Sequence, residues 1–175
     1  IGNTLTNPGD AYKYFKGEPI KHPLGYDVKI EMPLDWAGVT DHSEYLGLLR
    51  ATEPSLPLSQ RSFKQRMHSD GKLRNTIAFL RTTLGFSLDN VDSAGWQEFA
   101  SDAWEQTIAA AERHNNPGRF TTFLAYEWSS MPGDNNLHRN VIYRSTAAPA
   151  IPYSSLNSED PRDLWAELER QRELG

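Results

Sequence analysis

Three side chains in this sequence combine the residue types and the spacing of a metal site. His42 comes shortly after the apolar run Trp36–Val39, Glu127 ends a second apolar run that begins at Phe120, and His138 lies at the start of a third. Imidazoles and carboxylates bind zinc, manganese or iron, and a carboxylate can bridge two ions. Because strand ends meet at one edge of the sheet in α/β proteins, these donors are expected to converge there. The sequence therefore predicts a divalent-metal site built from distant parts of the chain.

Each of these residues also has a structural interpretation when it is taken alone. Pairs such as Asp41-His42 are frequent in surface loops, and a histidine at the start of a strand more often forms a structural hydrogen bond. The functional interpretation therefore depends on the shared placement of the three residues at strand ends. The remaining histidines are interpreted as structural or surface residues: His22, His68 and His114.

Composition narrows the class of protein. The chain has 175 residues, enough for one domain with a core. Its net charge of -5 argues against a nucleic-acid partner, and the weakly basic stretch 61–74 is interpreted as a solvated loop and helix face. The absence of cysteine excludes disulfides and thiolate metal sites. No run is apolar enough for a membrane span and no signal peptide is visible, so we expect a soluble protein whose compartment, extracytoplasmic or not, stays open.

Helix and strand signals alternate along the chain, which favours an α/β fold. In the last predicted helix, Leu164, Trp165 and Leu168 are expected to point inward. The predicted elements, in chain order, are a helix between Asn7 and Gly17, an edge strand at Tyr26–Ile30, a strand at Trp36–Thr40, a surface insertion at 51–71, a helix through Leu73 and Leu84, a helix from about Gly95 to His114, strands at Phe120–Tyr126 and Leu137–Tyr143, and a helix from Ser158–Pro161 to Gly175.

Long motifs around the three donors resemble those of a known superfamily. The stretch Leu34–Gly47 resembles the second motif of the PHP superfamily, named for its polymerase and histidinol phosphatase members. Phe120–Ser130 and Asn136–Tyr143 resemble its next motifs. The chain is closer still to a PHP-like family of unknown function, which also has counterparts of the Asn-Pro-Gly-Asp-Ala-Tyr start and the Leu-Trp-Ala-Glu-Leu end. This resemblance covers nearly the whole chain.

The resemblance implies a distorted (β/α)7 TIM-like barrel with two or three metal ions at its carboxyl face. The superfamily's opening His-x-His motif is absent, and its later histidine and Asp-x-His motifs would lie beyond Gly175. Residues 1–175 are therefore expected to form a single incomplete PHP-like domain, an interior slice of the barrel. Such a slice leaves sheet edges uncovered, so we expect self-association through them or dependence on missing segments.

The resemblance also assigns roles to single residues. It implies that His42 binds one ion, that Glu127 bridges two ions and that His138 binds the second. It implies a catalytic supporting role for Asp41, which would orient an imidazole or a water.

The two residues after His138 are the candidates for substrate binding. Asn140 shares the face of His138 because side chains alternate along a strand, so it could contact substrate. Arg139 should point the other way, and for it an ion pair is favoured over phosphate binding.

The expected function is metal-dependent hydrolysis of a phosphoester, with a small-molecule substrate and neither nucleic acid nor membrane as partner. The slice alone is expected to bind zinc, manganese or iron incompletely and to turn over little. Two alternatives stay open. The domain could be a non-catalytic module whose aromatic residues line a sugar or small-acid pocket, or it could be a purely structural segment. The aromatic residues in question are Trp36, Tyr45, Tyr126 and Trp128.

Overall fold

The computed structural model describes residues 6–22, 25–44, 46 and 93–174. The predicted surface insertion at 51–71 and the predicted helix through Leu73 and Leu84 lie outside these residues. Within the described part, the elements are α1 (Pro8–Phe15), β1 (Ile20–Lys21), β2 (Asp27–Val28), β3 (Trp36–Val39), α2 (Ser93–His114), β4 (Thr121–Ser130), a 3-10 turn (Pro132–Asp134), β5 (Leu137–Ile142) and α3 (Pro161–Leu174).

A three-stranded sheet of order β3-β4-β5 is the scaffold of the molecule. β3 runs parallel to β4, with Trp36 opposite Thr121 and Val39 opposite Leu124. β5 returns antiparallel, so that Ser130 lies opposite Leu137. This mixed sheet with its helices confirms the α/β character of the chain, and within the described residues β3 and β5 are its outer strands.

The first helix begins where the sequence predicts. The Asn7 side chain accepts a hydrogen bond from the Asp10 amide at 3.0 Å, and the Asp10 carboxylate accepts one from the Asn7 amide at 3.2 Å. This reciprocal capping box satisfies two amides that the first helical turn leaves without partners. Pro8 occupies the first turn, where its missing N–H costs nothing. Gly17, with φ +77°, follows the helix in the left-handed conformation that glycine adopts easily.

The helices pack on one face of the sheet. One apolar cluster joins Trp104 of α2 and Leu164 of α3 to buried residues of β4 and β5. A second cluster joins Tyr12 of α1 to Ala37 of β3 and to the C-terminal half of α2. Trp104 is 1% exposed and donates its indole N–H to the Pro149 carbonyl at 2.9 Å. The core therefore lies between the helices and a single sheet face.

Two predicted details are wrong and one is refined. Glu127 does not end its strand, because pairing with β5 carries β4 on to Ser130. Trp165 does not point inward but is 54% exposed, since a step of one residue turns it about 100° away from Leu164 on the helix. The edge strand predicted at Tyr26–Ile30 is shortened to β2, Asp27–Val28. It pairs antiparallel with β1, so that Ile20 lies opposite Val28.

Candidate metal centre

The sheet register brings the three predicted donors together. His42 forms a parallel bridge with Glu127 just beyond the end of β3. The main chain fixes this bridge, because the Glu127 amide donates to the Asp41 carbonyl at 2.9 Å and the Ser43 amide donates to the Glu127 carbonyl at 2.8 Å. On the other side of β4, His138 lies opposite Ser129. Two imidazoles, one just beyond β3 and one in β5, thus flank one carboxylate on the central strand β4.

The distances within this cluster are short. Nε2 of His42 lies 3.4 Å from one Glu127 carboxylate oxygen, and Nδ1 of His138 lies 2.9 Å from the other. One donor atom from each of the three residues lies within 4.8 Å of the other two. The His42 and His138 side chains are 57% and 50% exposed, whereas that of Glu127 is 21% exposed. The carboxylate is thus shielded while the imidazoles remain reachable from solvent.

Ser129 links the two imidazoles, a contact that the sequence reasoning missed. Its hydroxyl oxygen lies 2.9 Å from Nδ1 of His42 and 2.9 Å from Nδ1 of His138. Strand alternation was a usable signal, because Ser129 is two residues from Glu127 and shares its face. The Ser129 hydroxyl therefore lies within hydrogen-bond distance of both imidazole rings.

Glu44 is a second residue that the sequence reasoning missed, although it lies within the quoted motif. Its side chain is 13% exposed and approaches Nδ1 of His42 to 3.6 Å. The same carboxylate accepts hydrogen bonds from the amides of Ser129 at 3.1 Å and Ser155 at 3.0 Å. A carboxylate two residues after a candidate ligand was the available signal in the sequence. Only the structure shows that the Glu44 carboxylate lies beside His42 and β4.

The structure does not bring the Asp41 carboxylate into the cluster. By alternation its side chain lies on the opposite side of the sheet from His42. Burial raises the pKa of Tyr12, the Val39 backbone opposes that rise, and the negative charge of Asp41 adds to it. Asp41 is exposed, and its carboxylate is not one of the three clustered donors.

Asn140 and Arg139 lie on opposite faces, as the alternation predicts. Asn140 is exposed and lies directly across from Glu127, on the face of the cluster. Arg139 lies across from Trp128 and donates a hydrogen bond to the carbonyl of His138 at 2.7 Å. Asn140 is therefore the neighbour of the cluster, and Arg139 contacts the main chain of its own strand.

The aromatic residues of the alternative pocket are dispersed. Tyr126 and Trp128 are 1% and 0% exposed in the helix-covered core, Trp36 is 63% exposed and contacts Phe123 edge-on, and Tyr45 lies outside the described residues. Burial raises the pKa of Tyr126 well above its ordinary value, so its phenol stays neutral. Within the described part of the chain, these rings do not line a common pocket.

Two of the histidines that were interpreted as structural have aromatic neighbours. His22 stacks on Tyr26 with ring centroids 4.4 Å apart, and His114 lies 5.7 Å from the ring of Tyr12. Neither belongs to the cluster of three, and His68 lies outside the described residues.

With this geometry in place, comparison with known proteins identifies the class to which the chain belongs. It is a member of the family described as a protein of unknown function, DUF3604, which matches residues 1–175. No curated protein and no solved structure matches the chain. No helix in the described part of the chain is both long and apolar enough to cross a membrane.

Proposed function

We propose that this DUF3604 protein is a metal-dependent hydrolase of the PHP type that acts on phosphoesters. The observation that carries the proposal is the convergence of His42, Glu127 and His138 at one end of the parallel β3-β4 ladder. The mixed sheet would then be part of a distorted (β/α)7 barrel, and the cluster would lie on the barrel's carboxyl side.

The donor set fits zinc, manganese or iron. These ions accept imidazole nitrogen together with carboxylate oxygen. In tetrahedral zinc sites, bonds of 2.0–2.1 Å place neighbouring donors about 3.3 Å apart. Nε2 of His42 and the Glu127 oxygen are 3.4 Å apart, close to that spacing. The exposed imidazole edges leave room for an ion to enter from solvent.

Each residue around the cluster has a part in this proposal. When bound, divalent ions polarise phosphoryl oxygens and lower the pKa of water to about 7. Glu127 supplies two oxygens, one facing each histidine, and can serve two ions. Asn140, on the same face, offers an amide that can donate to a phosphoryl oxygen. Asp41 supports the site through its carbonyl, which holds the amide of Glu127.

The test uses the complete gene product that carries this chain. Metal analysis of the purified protein is expected to find two or three zinc, manganese or iron ions, and manganese is expected to support hydrolysis of p-nitrophenyl phosphate. Glu127→Ala should abolish both. Arg162→Ala, an exposed change on α3, is the matched control that should abolish neither.

Other outcomes would reject the hydrolase. Retention of folding without bound metal would favour the binding module. A third result, in which His42→Ala and His138→Ala lower thermal stability but leave the metal content unchanged, would favour a structural segment.

A further inference from the structure

Ser129 lies between the histidines of the candidate metal centre, although serine is not among the residue types from which the site was predicted. Its hydroxyl oxygen lies 2.9 Å from Nδ1 of His42 and 2.9 Å from Nδ1 of His138. The nearest contacts of the Glu127 carboxylate with the same two rings are 3.4 Å and 2.9 Å. The Ser129 hydroxyl is therefore at least as close to each imidazole as the carboxylate is.

The main chain holds Ser129 in this position. Ser129 lies opposite His138 in the antiparallel ladder of β4 with β5. Its amide also donates to Oε1 of Glu44 at 3.1 Å, an oxygen that accepts a second hydrogen bond from the Ser155 amide at 3.0 Å. Because Ser129 shares the face of Glu127 on β4, its side chain starts from a fixed point beside the two rings.

Nδ1 of His138 has two oxygen neighbours at the same distance, Oε1 of Glu127 and the Ser129 hydroxyl, each at 2.9 Å. A ring nitrogen carries either one proton or one lone pair, so it forms one well-aligned hydrogen bond rather than two. A cation, in contrast, bonds several donors at once. In octahedral sites with bonds of about 2.0–2.1 Å, neighbouring donors lie about 2.9 Å apart. Both distances from Nδ1 of His138 match the spacing of donors around one six-coordinate ion.

We propose that Ser129 is a ligand of the metal ion on the His138 side, where its hydroxyl oxygen joins Nδ1 of His138 and Oε1 of Glu127. The inference rests on the proposed metal-dependent function. It adds a donor that neither the sequence pattern nor the resemblance to the PHP superfamily assigned. Neutral oxygen donors of this kind suit manganese and magnesium, and serine and threonine hydroxyls bind Mg²⁺ in nucleotide-hydrolysing enzymes.

The test replaces the hydroxyl by a thiol in the complete gene product that carries this chain. Co²⁺ is the probe, because a thiolate bound to it gives a charge-transfer band in the near ultraviolet that oxygen and nitrogen ligands do not give. Ser129→Cys loaded with Co²⁺ should show this band, whereas wild type should not. The matched control is Ser130→Cys, because Ser130 is buried on the core face, opposite Leu137, and should give no band.

Ser129→Ala gives a second readout. Calorimetric titration with Co²⁺ should show binding that is weaker by about 10-fold or more, since even the loss of a group that only hydrogen-bonds a ligand costs about that much. The urea midpoint of the metal-free protein should stay close to that of wild type. A hydroxyl that only hydrogen-bonds the two rings would also weaken binding in Ser129→Ala, but Ser129→Cys would then give no charge-transfer band.

The absence of that band in Ser129→Cys, or an unchanged Co²⁺ affinity in Ser129→Ala, would overturn the inference. If Ser129→Cys does not fold, Ser129→Asp takes its place. Its carboxylate donor should restore the affinity lost in Ser129→Ala, and no restoration would count against the ligand role. Co²⁺ binding without hydrolysis of p-nitrophenyl phosphate would remove the proposed function, while the band would still decide the role of Ser129. A wild type that binds no Co²⁺ would overturn both.

Discussion

The two faces of the β3-β4-β5 sheet differ in burial and polarity. On the core face, Leu124, Tyr126 and Trp128 of β4 are at most 2% exposed and pack against helices. On the site face, Glu127 and Ser129 of the same strand contact two exposed histidines. One face gains stability by excluding water, and the other carries the imidazoles and the carboxylate of the proposed metal site.

The contrast explains how a ten-residue strand serves both purposes. Alternation sends neighbouring side chains in opposite directions, so Trp128 anchors the strand while Glu127 and Ser129 project from it. Rigid packing on one side fixes the positions of the donors on the other. Damage to the core face should therefore reduce folding stability, whereas damage to the site face should reduce ion binding.

The strongest test of the comparison is Trp128→Ala on the core face. Removing this fully buried indole should lower the free energy of unfolding by about 3–5 kcal/mol, through lost burial and the remaining cavity. Denaturation in urea measures the change. The matched control is Trp165→Ala, because that indole is 54% exposed and its loss should stay within about 0.5 kcal/mol. Equal losses for the two variants would contradict the assignment of the core.

The corresponding change on the site face is Glu127→Gln. It keeps the shape of the side chain and removes its charge, so the affinity for Zn²⁺ should fall by more than about 100-fold, or about 2.7 kcal/mol. The urea midpoint of the metal-free protein should change much less than in Trp128→Ala. Calorimetric titration measures the affinity. Undiminished Zn²⁺ binding by Glu127→Gln would remove the central residue from the proposed site.

Local sequence signals predicted the elements that depend on local physics. The start of α1 was predictable because Asn7, Pro8 and Asp10 satisfy the first helical turn by themselves. The strand before His42 was predictable from a short apolar run bounded by proline and charge. The side-by-side placement of His42 and Glu127 comes from the parallel pairing of β3 with β4, although Glu127 lies three residues before the end of β4.

Features that depend on tertiary contacts were not predictable. The last residues of β4 include Ser129 and Ser130, which have no strong strand preference, and their extension comes from pairing with β5. The buried position of the Glu44 carboxylate depends on hydrogen bonds from the amides of Ser129 and Ser155, which are distant in sequence. No local pattern reports such contacts.

A smaller effect is expected at the N-terminal end of the core face. Asn7→Ala removes the acceptor of the capping box and should destabilise the protein by about 1 kcal/mol, since one helical amide loses its partner. Asn7→Ser keeps an acceptor at the same position and should retain most of the stability. Urea denaturation of both variants checks this. A loss in Asn7→Ser as large as in Asn7→Ala would show that packing, rather than the cap, matters there.

The smallest expected effect is a pH dependence from His114, which lies beside Tyr12 at the edge of the second core cluster. Burial, assisted by the charge of Lys16, lowers the pKa of His114 below its ordinary value of 6.5. Between that lowered pKa and 6.5 the unfolded chain binds more protons than the folded one, so stability should fall as the pH drops through this window. In His114→Gln this part of the pH dependence should disappear. Proton NMR of the metal-free protein measures the titration directly, and a midpoint at or above 6.5 would mean that the ring is not desolvated.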